Sequence, residues 1–385
     1  GYRKLNVPEA SSGVGPEESL LGRAEYHHRI LKGLIRGTMF YEFGSGLEYR
    51  KEFTYLEVAP GQGVYTWNDY NGDSVKQLDE FEIALFQDEA TWIRIFTPTN
   101  EFERVYTMQY SQSVQIDPAS VVDRTKRGGK FLSRFTDQGQ YRVEQKVGGN
   151  DMLAALDPFF IGVEEPSLIS LSYSLRNTLF FNRSNPKYSV DYTTSRNTSR
   201  ILLVNGFESR GQLQHQVRAR WNLTREFILR GEGSLGERER ASEFFPGNDY
   251  LLSVKGGGGE LQYQPGTKYR IGVKYLFTQK KNSVGTAGEQ ATLQRSTAEF
   301  RYSMPLKGSI QVQAEYIGIA FNGSQQSSIA FEMLEGLRNG SNFTWTLGYQ
   351  RILGSNMQVN LQYNGRKSPE TPMVHVGTVQ VRAFF

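Results

Sequence analysis

The stretch MVHVGTVQVRAFF, residues 373–385, indicates the fold of the whole chain. Side chains of an extended strand point alternately to its two faces, and here the two faces differ in polarity. The apolar residues of one face are Val379, Val381, Ala383 and Phe385. The polar residues of the other face are Thr378, Gln380 and Arg382. An apolar outside, a polar inside and an aromatic at the boundary are typical of one strand of a transmembrane β-barrel.

The same alternation recurs from residue 168 to the end of the chain. Seven further segments show it: 169–175, 217–223, 269–278, 298–302, 310–316, 343–350 and 357–363. Most can be extended to about ten residues, the length that a tilted strand needs to cross the hydrocarbon. A soluble sheet with one wet face is the alternative, but its strands average about five to six residues. We therefore expect an all-β, antiparallel transmembrane β-barrel of about 14 strands, with about 12 to 18 possible.

The composition of the 385 residues agrees with a barrel and excludes a helical membrane protein. Only 38% of the residues are hydrophobic, the mean hydropathy is −0.51, and no run of about 18 apolar residues occurs. Aromatic residues make up 13% of the chain, which suits interfacial girdles. Cysteine is absent, so disulfides, cysteine metal sites and a cysteine nucleophile are excluded.

Changes in pattern along the chain divide it into three regions. Residues 1–25 cluster proline, glycine and serine and read as an irregular lead-in. Residues 26–102 are acidic and alternate imperfectly, and we interpret them as a periplasmic or plug-like region. Residues 103–385 form the barrel, although short and long connections do not alternate cleanly through 321–341, which indicates a missed or merged strand. The chain begins at Gly1 without a visible signal peptide, so we expect a mature protein or part of a longer one.

The strongest local motif is DYNGDSVKQLDE, residues 69–80. It matches the calcium-loop pattern D-x-[DN]-x-[DN]-G-x5-E at the ligand positions, and Ca²⁺ prefers six to eight oxygen ligands from a chain that wraps around it. Side chains would supply most of the oxygens, Val75 its carbonyl, and Gln77 a direct or water-mediated ligand. The candidate metal ligands are Asp69, Asn71, Asp73, Val75, Gln77 and Glu80.

Two positions depart from a paired calcium loop. Ser74 stands where glycine would make the sharp turn, and Lys76 stands where a hydrophobic residue would meet a sister loop. The second departure predicts a solitary loop with a structural Ca²⁺ rather than a sensor. Leu78, Phe81 and Leu85 recur at helical spacing and predict a short helix on the exiting side. The alternative is an acidic surface turn without a metal.

Other candidate sites are weaker. No G-x-S-x-G or H-E-x-x-H motif occurs, and His27 and His28 point to opposite faces of a strand, so we predict a protein without enzymatic activity. A barrel lipase would need a serine and a histidine brought together across strands. Basic residues prevail over 176–240 and could line an anion-attracting lumen, meet lipopolysaccharide phosphates or simply be solvated. Nucleic-acid binding is not expected of a barrel wall.

Several segments resemble the C-terminal part of large, poorly characterised outer-membrane proteins of Bacteroidota. They are YTWNDYNGD (65–73), LDEFEIALFQD (78–88), EMLEGLRNGSNFTW (332–345), GRKS (365–368) and HVGTVQVRAFF (375–385). The resemblance implies a bacterial outer-membrane barrel that carries a long periplasmic part. It implies little about activity.

Together these features predict a non-enzymatic barrel subunit of an outer-membrane transport or protein-assembly and translocation complex. Its partners would be outer-membrane lipids, lipopolysaccharide, and periplasmic or outer-membrane proteins. A passive diffusion porin is the second hypothesis and a barrel lipase the third. An open lumen would favour the porin, and a plugged lumen would favour the complex subunit.

Overall fold

The structure is a computed structural model that describes residues 2–5, 17–148, 155–159, 168–203, 206–243, 246–284, 288–305, 307–354 and 356–383. Within these ranges, 18 strands belong to one sheet. The strands are β1 (Tyr2–Leu5), β2 (Glu17–Ile30), β3 (Ile35–Glu57), β4 (Tyr65–Trp67), β5 (Phe81–Ile83), β6 (Trp92–Ile116), β7 (Phe135–Gly148), β8 (Leu168–Phe181), β9 (Tyr188–Leu203), β10 (Gly206–Asn222), β11 (Phe227–Ser242), β12 (Tyr250–Tyr263), β13 (Tyr269–Asn282), β14 (Gln290–Met304), β15 (Gly308–Asn322), β16 (Gly340–Leu353), β17 (Met357–Lys367) and β18 (Val374–Ala383). The described α-helices are α1 (Arg127–Leu132) and α2 (Ser328–Leu334).

The sheet is an antiparallel meander with one large insertion. From β6 onward each strand pairs with the next one along the chain, and β1 pairs with β2 and β2 with β3. β3 pairs with β6, so residues 58–91 are inserted at the tip of that hairpin. The all-β, antiparallel transmembrane barrel predicted from the alternation is confirmed, and the strand number falls within the predicted range.

The two faces of the wall differ in polarity, as the sequence predicts. Large apolar side chains alternate with inward polar ones and lie exposed on the outer face, where a membrane would cover them. Exposed examples are Val217, Trp221, Leu229, Ile271, Val273, Tyr275, Leu347, Leu361 and Val379. Inward charged residues form ion pairs between strands, namely Arg218 with Asp191, Arg230 with Glu260, Lys274 with Glu232 and Arg270 with Glu299.

The wall begins earlier in the chain than residue 103. β2 and β3 pair along most of their length and β3 pairs with β6, so only residues 58–91 of the predicted region 26–102 lie outside the wall. The irregular lead-in predicted for 1–25 contains β1 and the start of β2; its residues 6–16 lie outside the described ranges. These strands belong to the wall, and the pairing of β3 with β6 shifts its register between Tyr49 and Lys51, which interrupts the alternation. The terminal Phe385 also lies outside the described residues.

The connections at the two ends of the wall differ in length. At one end β10–β11, β12–β13, β14–β15 and β16–β17 are joined by turns of a few residues, although the β6–β7 connection at this end spans residues 117–134 and contains α1. At the other end lie the 58–91 insertion and the 323–339 connection, which contains α2. The predicted missed or merged strand near 321–341 was wrong, because this segment is a loop and helix. None of the described helices combines the length and apolar character that a membrane-spanning helix requires.

Candidate functional site

Residues 58–91, here called the insert, form a small folded unit. β4 and β5 pair within it, and Tyr65 of β4 also pairs with Trp92 of β6. Phe81 is buried, stacks on Tyr55 at a centroid distance of 3.9 Å, and meets Trp92 edge-on at 5.2 Å. The aromatic cluster therefore fixes the insert to the hairpin that carries it.

A buried ion pair joins the insert to the opposite part of the wall. Arg240 of β11 donates from Nη1 to Glu82 Oε1 at 2.6 Å, and both side chains are almost fully buried. Arg210 and Glu208 of β10 extend the pair into a four-residue network. Burial raises the pKa of the Glu82 carboxyl, and the two arginines offset part of that rise. Removing one partner of such a buried pair typically costs about 3–5 kcal/mol.

A second contact joins the insert to β17. Arg366 Nη2 donates to Asp88 Oδ2 at 3.0 Å and to Glu89 Oε1 at 2.7 Å. Its guanidinium carbon lies 3.9 Å from the centroid of the Phe86 ring. Because β11 and β17 are far apart in the meander, the insert reaches across the mouth of the barrel. A cavity of about 340 Å³ remains between the insert and the wall on the β7–β11 side.

The connection 323–339, here called the inner loop, also folds into the lumen. Lys280 of β13 is 1% exposed and donates to Glu335 Oε1 at 2.9 Å and to the Glu332 carbonyl at 3.2 Å. Arg295 of β14 pairs with Glu335 at 2.6 Å, and Arg238 of β11 pairs with Glu332 at 2.7 Å. Basic residues of the wall thus hold the acidic residues around α2.

An apolar cluster packs α2 against the inner face of the wall. Its buried residues are Tyr250, Leu252, Ala291, Leu293, Ile317, Ile319, Ala330, Met333, Leu334 and Leu337. Phe86 of the insert packs against the same cluster, so the insert and the inner loop share one core. The two elements together lie at the mouth of the barrel, at the end with the long connections, and contact the wall on several sides.

The acidic loop of the insert brings three predicted ligands together. Carboxylate oxygens of Asp69, Asp73 and Glu80 lie within 4.8 Å of one another, and Glu80 is 2% exposed. Glu80 Oε2 accepts from Trp67 Nε1 at 2.8 Å and from the Gln77 backbone amide at 3.3 Å. Glu80 Oε1 is buried without a hydrogen-bond partner among the described residues. A cation at this point would satisfy that oxygen and offset the repulsion between the carboxylates.

The other three predicted ligands lie on the same loop. Asn71 Oδ1 accepts from the Asp73 backbone amide at 2.9 Å, and the Gln77 side-chain amide donates from Nε2 to Asp73 Oδ2 at 2.9 Å. The Val75 amide donates to Asp73 Oδ1 at 2.7 Å. Ser74 takes the left-handed conformation, with φ +59°, that glycine normally supplies at this turn. The donor set of oxygens fits Ca²⁺.

The helix predicted after the loop is wrong. Leu78–Glu80 form a single 3-10 turn, and Phe81 starts the short strand β5. Strand geometry sends Phe81 into the aromatic cluster and Glu82 to Arg240, on opposite faces, which a helix could not do.

The wall residues that hold the insert and the inner loop were missed by sequence reasoning. One signal pointed to them: the lumen-facing positions of β12, β14 and β15 carry Leu252, Leu293, Ile317 and Ile319, where polar residues are expected. Apolar residues on the lumen face need an apolar cover, and α2 supplies it.

Two groups of residues singled out in the sequence have other partners. Arg210, Arg218 and Arg230 of the basic middle face the lumen and are paired with acidic residues of the wall. His215 and His375 lie on the outer face, where their Nδ1 atoms contact the hydroxyls of Tyr192 and Tyr363. A barrel lipase would require a serine and a histidine brought together, and the described residues offer no candidate pair.

No protein-family model and no curated protein matches the chain. Solved structures with a similar arrangement include FpvA of P. aeruginosa bound to a heterologous pyoverdine and its iron, at 9% identity and a TM-score of 0.37. That similarity covers 95% of this chain and 58% of FpvA, so the chain spans somewhat over half of that protein. A porin of Rhodopseudomonas blastica matches over 89% of this chain and 100% of its own, at 9% identity and a TM-score of 0.24. Identities this low identify no relative from which a function could be transferred.

Proposed function

We propose that the chain is a plugged outer-membrane barrel that acts as a subunit of a transport or protein-assembly complex, and not as an open pore. The carrying observation is the buried pair between Glu82 of the insert and Arg240 of the wall. Leaving either charge buried without its partner is strongly unfavourable, so the pair favours one docked position of the insert at the mouth over a displaced one.

The outer face supports a location in a bacterial outer membrane. Exposed apolar residues cover it over the length of the strands, and transmembrane barrels of this kind occur in outer membranes. Lys255 and Lys281 are exposed on the outer face, near the end with the long connections. Their ammonium groups would meet the phosphates of lipopolysaccharide, since long connections are usually external.

In the same orientation the insert would lie at the external mouth. Short turns are usually periplasmic and long loops external, so the insert and the inner loop would close the barrel from outside. This favours the plug-like interpretation of the insert over the periplasmic one. Glu82, Asp88 and Glu89 contact the wall, which supports a role of these three acidic residues in holding the insert in place.

Conductance in a planar bilayer separates the plugged barrel from the porin. We expect little conductance from the wild-type chain and a marked increase from the double variant Arg240→Ala, Arg366→Ala, which removes the ion pairs of the insert with β11 and β17. Arg270→Ala is the matched control, because Arg270 faces the lumen but pairs only within the wall. A wild-type protein that conducts as well as the double variant would support the porin and contradict the plug.

Partners can be tested on the natively purified protein. Mass spectrometry of the intact assembly should show further outer-membrane or periplasmic proteins bound to the barrel. A protein recovered alone at native abundance would contradict the complex subunit without affecting the plug.

A further inference from the structure

The acidic loop of the insert carries features of a cation site that are independent of the barrel. The three carboxylates of Asp69, Asp73 and Glu80 converge within 4.8 Å. Like charges held so close repel one another unless a cation or protons lie between them. A network of backbone amides already holds Asp69, which accepts from the Gly72 and Ser74 amides at 2.7 and 3.0 Å.

Glu80 provides the second observation. Its side chain is 2% exposed, and Oε1 has no hydrogen-bond partner in the described chain, while Trp67 and the Gln77 amide hold Oε2. A buried ionised oxygen without a partner is costly. The carboxylate is thus fixed by one oxygen and leaves the other for a ligand of positive charge.

We propose that the insert binds one Ca²⁺ and that the bound ion fixes the segment that latches the plug to the wall. Asp69, Asp73 and Glu80 would supply carboxylate oxygens, with Asn71, Gln77 and the Val75 carbonyl completing the oxygen set that a hard cation prefers. The coupling to the plug rests on the proposed function, whereas the binding of the ion does not.

The coupling follows from the positions of the latch residues. Glu82, which pairs with Arg240, lies two residues after Glu80. The Asp79 carbonyl, next to Glu80, accepts from Asn248 of the β11–β12 connection at 2.8 Å. Tyr70, inside the loop, has its hydroxyl 3.5 Å from Glu82 Oε1. An ion that orders residues 69–80 would therefore also order the neighbouring residues Asp79 and Glu82, through which the insert contacts Asn248 and Arg240.

Terbium luminescence offers a direct binding test, because Trp67 lies in hydrogen-bond contact with Glu80 and would sensitise a bound lanthanide. We expect Tb³⁺ emission that Ca²⁺ competes away and Mg²⁺ does not. Glu80→Gln should weaken the binding by about tenfold or more, since affinity follows the charge count of the ligands. Asp79→Asn, one position earlier and outside the carboxylate cluster, is the matched control and should bind as the wild type does.

Asp73→Asn, at an exposed position, gives a second test if Glu80→Gln does not fold. Equal affinities in the wild type, Glu80→Gln and Asp73→Asn, or no emission from the wild type, would overturn the site. Hydrogen exchange of residues 77–83 tests the coupling, with slower exchange expected in Ca²⁺ than in chelator. Binding without any change in that exchange would retain the site and refute its role in the plug.

Discussion

At the residue scale, single charges decide where the insert lies. Arg240 and Glu82 are almost fully buried, and their contact at 2.6 Å selects one docked position from many sterically possible ones. Arg366 does the same at β17 with Asp88 and Glu89. These pairs matter because a buried charge without its partner is strongly unfavourable, so any other position of the insert is penalised.

The left-handed conformation of Ser74 makes a prediction about the acidic loop. A side chain at φ +59° costs about 1 kcal/mol relative to glycine, so Ser74→Gly should stabilise the loop by about that amount. Hydrogen exchange of the Ser74 amide, which donates to Asp69, should slow about fivefold.

Gly72→Ala is the opposite control for that prediction. Gly72 has φ +77°, and a Cβ added there meets no atom within 4 Å, so only the backbone conformation is penalised. The exchange should then become faster. If exchange changed in the same direction in both variants, backbone strain at these two positions would not determine the stability of the loop.

At the element scale, the acidic loop (residues 69–80) and the ion pairs that hold the insert to the wall differ in how well the sequence predicts them. The candidate ligands lie within twelve consecutive residues, so their spacing alone indicates a loop around a cation. Glu82 and Arg240 are 158 positions apart, and no local pattern links them. The helix predicted after the loop was wrong because tertiary contacts of Phe81 and Glu82 override a spacing that only suggests a helix.

The inner loop should respond to acid through Glu335. Burial alone would raise the pKa of Glu335, but Lys280 and Arg295 outweigh it and hold that pKa below its ordinary value. A carboxyl with a lowered pKa in the folded state contributes stability above its unfolded pKa, about 4.3, and loses it as the pH falls through the folded value. The protection factor of the α2 amides, which corrects the exchange rate for the intrinsic pH dependence of amide exchange, should therefore be constant above about pH 5 and fall below about pH 4.

Glu335→Gln removes the titrating group and is the control for the acid response. We expect faster exchange of α2 at neutral pH, because Lys280 loses its partner, and a flatter profile between about pH 5 and pH 3. A variant that keeps the wild-type acid response would assign that response to another carboxyl.

At the scale of the whole molecule, the wall follows from the sequence because its pattern is regular. Alternation in β10, β13 or β17 depends only on which solvent each face meets, so residues such as Val217, Ile271 and Leu361 predict the outer face without long-range information. β3 and β6 were harder to place, since they extend beyond their neighbours to carry the insert. A plug-like region was among the predictions, but its contacts with the wall could not be predicted, because they depend on which wall residues the meander brings opposite the insert.

The four tryptophans report on the two environments of the molecule. Trp221 and Trp345 lie on the outer face, whereas Trp67 and Trp92 belong to the insert and its hairpin. In vesicles with brominated acyl chains, we expect quenching of Trp221 and Trp345 only. The quenched fraction should fall in Trp221→Phe and Trp345→Phe and rise in Trp67→Phe and Trp92→Phe. Equal quenching of all four residues would contradict the assignment of the faces.

A cysteine crosslink tests the plugged barrel most directly, because the chain has no cysteine of its own. Asp79 of the insert and Asn248 of the β11–β12 connection are joined by a hydrogen bond of 2.8 Å from the Asn248 side-chain amide to the Asp79 backbone carbonyl. A short bifunctional thiol reagent should therefore join the pair Asp79→Cys with Asn248→Cys in membranes, but should not join Asp79→Cys with Asn360→Cys, near the opposite end of β17. Crosslinking of the second pair, or none of the first, would show that the insert does not occupy the mouth of the barrel.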